Sequence, residues 1–326
     1  MATLDIKNLS IHYFLREARV RAVDDVTFAV EKGTMFGLAG ESGCGKTTTV
    51  LAIMRMLHKA GKIVDGEIFL EGNDLLKLNK DEMRKARWRD VSYIFQYAMN
   101  AFNPVMTVGE QIVEVIMEKS EGTENPIGKK EGWERAKELF NIVGLDPQRV
   151  THYPHEFSGG MQQRAVIAMA LACNPKVIIA DEPVTALDVV VEKKILKLLK
   201  KLQKEFNLAI IMITHDLSVI AESCDRVGIM YAGKLVEVGP VRIIFKENLH
   251  PYTHLLINSF PSILGEKRRI KPLEGIPPNL ANPPPGCRFH PRCPYCKDKC
   301  KEEAPELREI SPGHYVACHF AGELPL

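Results

Sequence analysis

The sequence predicts an α/β fold, and two stretches carry that prediction. In "MFGLAGESGCGKTTTVLAIMRML", residues 35–57, a buried apolar run enters a Gly-rich loop and leaves it with helical spacing of Val50, Ile53, Met54 and Leu57, so the segment reads as strand, loop, helix. Further on, the short apolar runs "KVIIA" (176–180) and "LAIIMIT" (208–214) flank the amphipathic "VEKKILKLLKKLQKEF" (191–206). That is the rhythm of a βαβ unit in a parallel sheet.

The remaining elements follow in order. "LDIKNLSIHYF" and "AVDDVTFAV" are rich in β-branched and aromatic residues and read as strands, ending at the turn "EKGT". Residues 81–150 read as a mainly helical insertion, with an exposed helix end and loop in "EVIMEKSEGTENPIGKK". "RVGIMYAGKLVEVG" reads as a hairpin turning at Ala232-Gly233. Beyond residue 250, "GIPPNLANPPPG" holds too many prolines for a helix or a central strand and marks a linker into a small Cys-rich module. No internal repeat is visible.

The chain has 326 residues, 45% of them hydrophobic, and a formal net charge of +2. Such a chain can fill a real core and has no global attraction to nucleic acid; the basic run "GEKRRIK" reads as a solvated face. "MATLDIKNLS" lacks the basic start and apolar core of a secretory signal, so the expected compartment is the cytoplasm. The apolar runs are far shorter than the roughly 20 residues of a membrane-spanning helix.

"GESGCGKT", residues 40–47, matches the phosphate-binding P-loop pattern in its required setting, after a strand and opening a helix. Its glycines let successive N–H groups turn toward a phosphate, and the helix start adds partial positive charge. Gly40, Ser42, Gly43, Cys44, Gly45 and Thr48 are the expected cradle of ATP. Lys46 is placed to reach the β and γ phosphates, and Thr47 to hold Mg2+. "KVIIADEP" sets Asp181 and Glu182 at the end of a buried strand, where Asp181 suits the Mg2+ shell and Glu182 the attacking water. "EFSGGMQQRAVIAMALA" offers a second helix start, with Ser158 as N-cap followed by Gly159 and Gly160. One nucleotide hardly needs two such cradles in one subunit, so a second subunit is expected.

These motifs stand in the order of the ATP-binding subunits of ABC transporters, which the chain resembles over residues 1–245: the P-loop, Gln96 in "IFQYAMNAFNP", "FSGGM", "IIADEP", Asp188 in "TALD" and His215 in "ITHD". The signature departs from the family's usual LSGGQ at Phe157 and Met161. The resemblance implies an ABC-type P-loop ATPase core with an antiparallel β subdomain and a helical subdomain at about 97–172, inside an ATPase domain of 1–250. It also implies a head-to-tail dimer with a second ATPase subunit, identical or related. In that dimer each ATP lies between one P-loop and the other subunit's signature, and Asp188 crosses the interface. Tyr13 would stack on adenine, Gln96 sense Mg2+ and the attacking water, His215 contact the γ-phosphate, and Glu182 act as base.

The single cassette, with its P-loop ending at Thr47 and its signature beginning at Phe157, fits a transporter motor better than a soluble ABC ATPase of DNA repair or translation, which is the competing class. "HPYTHLLINSFP" (250–261) and "LEGIPPNL" (273–280) extend the resemblance to the dipeptide and oligopeptide importers, with residues 251–326 as their C-terminal extension. The implied partners are two transmembrane permease subunits and, indirectly, an extracytoplasmic solute-binding protein. The implied location is peripheral, on the cytoplasmic face of the membrane. Peptide is the implied cargo, with nickel or an oligosaccharide as the alternatives.

Cys44, Cys173 and Cys224 are scattered, whereas five cysteines crowd "CRFHPRCPYCKDKC" (287–300) and Cys318. In a reducing compartment such crowding favours a metal or redox site. "CPYC" alone allows a redox dithiol, but the thioredoxin-like setting is missing. Four thiolates suit zinc, with His290, His314 and His319 as substitutes, and equally an iron-sulfur cluster; spacing does not separate the two. The importer resemblance implies a [4Fe-4S] cluster on Cys287, Cys293, Cys300 and Cys318, and leaves out Cys296. Its expected use is structural, as a staple for a segment with few apolar residues.

Overall fold

The structure is a computed structural model describing residues 2–96, 101–123, 125–259 and 273–326. Residues 97–100 of the Gln96 segment, Phe260 and Pro261 of the importer-like stretch, and the basic run 265–271 lie outside the described residues. The chain divides into two compact units, one of residues 31–35 and 77–213, the other of 2–30, 36–76 and 214–326. Among the described residues no helix is long and apolar enough to cross a membrane.

The first unit is built on parallel strands Val91–Ile94, Val177–Asp181 and Ala209–Ile213, paired in that order. Every residue of the three strands is buried, as expected of parallel strands covered on both faces. The predicted amphipathic segment forms helix Val189–Glu205, burying Ile195, Leu196, Leu198, Leu199 and Leu202 and leaving most of its lysines to solvent. Residues 81–150, read as mainly helical, hold most of helix Lys80–Arg89 and all of Val108–Ser120 and Lys129–Ile142, and Gly159–Ala170 follows. The first two begin with reciprocal capping boxes, Asn79 with Glu82 and Thr107 with Glu110, which satisfy N–H groups the helix itself leaves unpaired.

The second unit holds two sheets. In the first, Arg19–Glu31, Ala2–Phe14, Gly61–Leu70 and Asn73–Asp74 lie side by side, with antiparallel pairing of Ala2–Phe14 to Gly61–Leu70. In the second, Phe36 to Ala39 runs parallel to Arg226–Tyr231. Arg226–Tyr231 turns back as Lys234–Pro240, and His314–Val316 and Arg308–Ser311 extend the antiparallel edge. The predicted hairpin is present: Ala232 and Gly233 take φ of 48° and 84°, the left-handed pair that suits a two-residue turn to the twist of its strands.

The helix after the P-loop is shorter than its periodicity predicts. Helix Lys46–Ile53 stops before Leu57 because Arg55 adopts φ 49°. Met56 N–H then reaches back to the Leu51 carbonyl and Arg55 N–H to Ala52, closing the helix with a Schellman motif.

C-terminal residues are stitched into this second unit. Phe289 is 1% exposed and packs edge-on to Tyr231 and Tyr252, with ring centroids 5.1 and 5.4 Å away. Glu237, wholly buried in its strand, accepts from the N–H groups of Leu249 (2.7 Å) and His250 (3.2 Å) and contacts His314 Nε2 at 2.8 Å. His250 caps helix Pro251–Asn258 through its ring nitrogen. Burial lowers the pKa of His250 from 6.5 to about 4.

In the window between those values the unfolded chain binds a proton that the folded chain refuses, so stability falls as pH falls from 6.5 toward 4. From pH 8 to pH 5 the loss from this group is about 2 kcal/mol. His250→Asn keeps a capping acceptor and removes the titration. Urea unfolding at the two pH values is expected to show a smaller acid loss in the variant than in the parent; equal losses would assign the acid sensitivity to other groups.

Candidate functional site

The P-loop connects strand Met35–Ala39 to helix Lys46–Ile53. Gly40, Gly43 and Gly45 have φ of 146°, 79° and 109°, the region that side chains disfavour. Gly40 also lies against the Met230 carbonyl, and a Cβ on Gly45 would sit 2.5 Å from the Ala22 carbonyl oxygen. Two of the three glycines are therefore required by close backbone packing as well as by their dihedrals. Lys46, 8% exposed, folds back so that Nζ donates to the carbonyls of Gly40 (2.7 Å) and Glu41 (3.0 Å). Ser42 and Thr47 are exposed, Thr48 is half-buried, and Cys44 is buried with its thiol pKa raised by that burial.

In the same unit Tyr13 pairs across the sheet with Gly61, and a Cβ on Gly61 would meet the Tyr13 ring at 2.9 Å, so the ring lies over that glycine. His215 is exposed just before Asp216, the N-cap of helix Leu217–Ser223.

The other unit brings Gln96, Asp181 and Glu182 together. Asp181 ends its strand 6% exposed and accepts a 2.6 Å hydrogen bond from the Tyr93 hydroxyl. Burial, and then the Asp181 charge, push the Tyr93 pKa far up, so this hydroxyl is a fixed donor. Glu182 takes φ 47°, costly for a side-chain-bearing residue, and its Oε2 accepts from Gln96 Nε2 at 2.7 Å and Thr185 Oγ1 at 2.9 Å. The sequence reading did not single out Tyr93. The one signal was a hydroxyl-bearing aromatic in the short strand "VSYI", three residues before Gln96.

Ser158 occupies the N-cap position of helix Gly159–Ala170 in extended conformation, but its side chain makes no capping bond. A Cβ on Gly160 would lie 2.5 Å from Val191 Cγ1, so this glycine lets two helix starts approach closely. Asp188 caps helix Val189–Glu205, accepting from the N–H groups of Val190 (3.1 Å) and Val191 (3.0 Å), a local duty beyond the one expected of it.

In the C-terminal part, Cys287, Cys293, Cys300 and Cys318 line one cavity together with His250, Phe289 and His290. Cys296 is not among the lining residues; its thiol is 3.6 Å from the Lys297 carbonyl. The backbone sets the four. Cys287 N–H bonds the Cys300 carbonyl at 2.8 Å, Cys293 ends the short turn His290–Arg292, and Cys318 follows strand His314–Val316. Among the described residues no cysteine forms a disulfide, and burial raises Cys287 to about 11 and Cys293 to about 12. No group of three or more His, Cys, Asp or Glu among the described residues is arranged to hold a metal ion. The residue types nevertheless suit a soft metal or cluster: four cysteines line one cavity, with no disulfide consuming their thiols.

Comparison with known proteins matches residues 23–185 to the ABC transporter family and 236–300 to the oligopeptide/dipeptide transporter C-terminal region. The oligopeptide transport ATP-binding protein AppD of Bacillus subtilis is 45% identical over 98% of this chain and 97% of its own length. The dipeptide transport ATP-binding protein DppD of Escherichia coli is 41% identical over 98% and 97%, and OppD of the same organism 43% over 97% and 93%. Among solved structures, the dimeric post-hydrolysis ATP-binding cassette MJ0796 bound to ADP and Pi superposes with a TM-score of 0.64 at 30% identity, over 73% of this chain and 99% of that one. By these matches the chain belongs to the ABC transporter family, among the ATP-binding proteins of oligopeptide and dipeptide transporters.

Proposed function

We propose that this chain is the ATP-hydrolysing subunit that powers import of dipeptides or oligopeptides, with Glu182 as general base and Gln96 as its orienting partner. The observation that carries this reading is the Gln96–Glu182 hydrogen bond, made while Glu182 is held in a left-handed conformation at the end of a buried strand. A carboxylate accepting from two side-chain donors keeps one orientation and stays available to polarise a water. Lys46 exchanges its loop carbonyls for the β and γ phosphates, while N–H groups from Gly43 to Thr48 surround the phosphate chain. Thr47 and Gln96 would hold Mg2+ with Asp181 in its shell, and the ion would supply charge neutralisation at the phosphates; Tyr93 fixes the Asp181 carboxylate.

His215 contacts the γ-phosphate and Tyr13 the adenine, while Ser158, Gly159 and Gly160 of one subunit face the nucleotide of the other. The start of helix Gly159–Ala170 supports this: the Ser158 side chain makes no capping bond there, and a helix N-terminus favours an anion. The active form is a dimer of ATPase subunits docked on two permease subunits at the cytoplasmic face of the membrane, served by a solute-binding protein. The ATPase domain spans about 1–250, with its helical subdomain at about 97–172, and the importer-type Cys-rich module 251–326. In that module Cys287, Cys293, Cys300 and Cys318 hold a [4Fe-4S] cluster, which would supply folding energy to a segment with few apolar side chains.

Glu182→Gln is expected to retain ATP binding while phosphate release falls by about 100-fold or more. Equilibrium nucleotide binding and phosphate release measured on one preparation check this, and near-normal turnover would remove Glu182 from the role of base. Anaerobically purified protein is expected to be brown. Serine at any of the four lining cysteines should bleach it, and Cys296→Ser should leave colour and iron content unchanged. A colourless protein carrying zinc would overturn the cluster.

A further inference from the structure

The segment between the first two cavity cysteines, Cys287 and Cys293, carries two buried arginines that the mechanism above does not use. Arg292, with its side chain 4% exposed, forks onto Glu41, the second residue of the P-loop: Nη1 donates to Oε2 at 2.7 Å and Nη2 to Oε1 at 3.1 Å. Its remaining donors reach the carbonyls of Glu274 (2.9 Å) and Leu273 (3.5 Å) and the Tyr231 hydroxyl (3.3 Å). Arg288 bonds the Ala232 carbonyl and Asp24, and the neighbouring Gly233 N–H holds the Cys44 carbonyl of the P-loop at 2.9 Å.

Glu41 is a hub within the loop. Its N–H donates to the Tyr252 hydroxyl at 3.0 Å, and Tyr252 is wholly buried. Its carbonyl accepts from Lys46 Nζ and, at 3.3 Å, from Cys44 N–H. Side chain and N–H are thus anchored from the C-terminal part, while the carbonyl orients the lysine that must reach phosphate. A guanidinium fork fixes a carboxylate in both distance and plane, which a point charge does not. Cys293 is the residue after Arg292, so whatever fills the cysteine cavity also fixes where the fork stands.

We propose that Arg292 is a positioning residue for the P-loop: through Glu41 it couples occupancy of the cysteine cavity to affinity for ATP. The inference rests on the nucleotide and cluster readings above. It adds that the two sites share one free energy, so that each ligand strengthens the other by the same factor.

The test is ATP affinity, by equilibrium binding under non-turnover conditions, of the full chain as wild type, Arg292→Met, Arg292→Lys and Glu41→Gln, each with metal analysis and an unfolding midpoint. Expected is a Kd about tenfold higher for Arg292→Met and for Glu41→Gln at unchanged metal content, with Arg292→Lys restoring part of it. The double variant should be no worse than either single one, because both remove the same contact. Stripping the cavity metal with a chelator, then removing the chelator and restoring Mg2+, should weaken ATP binding in the wild type by a similar factor and in Arg292→Met no further.

Wild-type affinity in Glu41→Gln, whose side chain is a quarter exposed, would overturn the proposal even if Arg292→Met fails to fold. So would unchanged affinity on stripping the wild type. A wild-type chain that holds no metal would instead sink the cluster reading and with it the coupling, and one that binds no ATP would sink the nucleotide reading.

Discussion

The constraint on which most of the second unit depends is the backbone of the P-loop. A loop that turns several N–H groups toward one anion must pass through left-handed conformations, and Gly40, Gly43 and Gly45 supply them. Such a loop has few side chains of its own with which to hold its shape. The surrounding chain holds it instead: backbone carbonyls of Met230 and Ala22 press on two of the glycines, and Gly233 N–H takes the Cys44 carbonyl. Tyr252 and Arg292 take the N–H and side chain of Glu41. Much of the C-terminal part is therefore packed so as to keep this loop ready for phosphate.

The acidic pair is organised differently. Asp181 and Glu182 are adjacent carboxylates, and each has donors of its own. Tyr93 serves the first, and Gln96 with Thr185 serves the second. The strained φ of Glu182 turns its side chain away from the alternation of a strand, so neighbouring carboxylates face separate partners. Two carboxylates of the same chemistry thus sit in different surroundings, one against a phenol and the other between an amide and a hydroxyl.

The architecture was legible because its signals are local. β-Branched and aromatic residues in the early strands, the amphipathic spacing of Val189–Glu205, and glycines at the P-loop and hairpin turn each report on residues close in sequence. The end of helix Lys46–Ile53 was not legible, since Arg55 is an ordinary residue in a left-handed turn, set by packing rather than propensity. Tyr93 was missed for a related reason: a tyrosine in a buried strand reads as core until its hydroxyl is seen on Asp181. The arginine fork lay further out of reach, because residues 41 and 292 meet only in the folded unit.

In the cysteine segment, neighbours in sequence and neighbours around the cavity differ. "CPYC" draws the eye as a pair, yet its second cysteine does not line the cavity, whereas Cys318 arrives there on the end of a strand that pairs Val316 with Glu237. The intervening residues of "CRFHPRC" have three separate tasks. Phe289 fills the aromatic cluster of Tyr231 and Tyr252, Arg288 grips the hairpin turn, and Arg292 grips the P-loop. A metal held by the flanking thiols would stiffen the short span that carries all three, and none of the three contacts can be kept if that span moves. A segment too small to fold on its own core would then act as the brace of the loop on which catalysis depends.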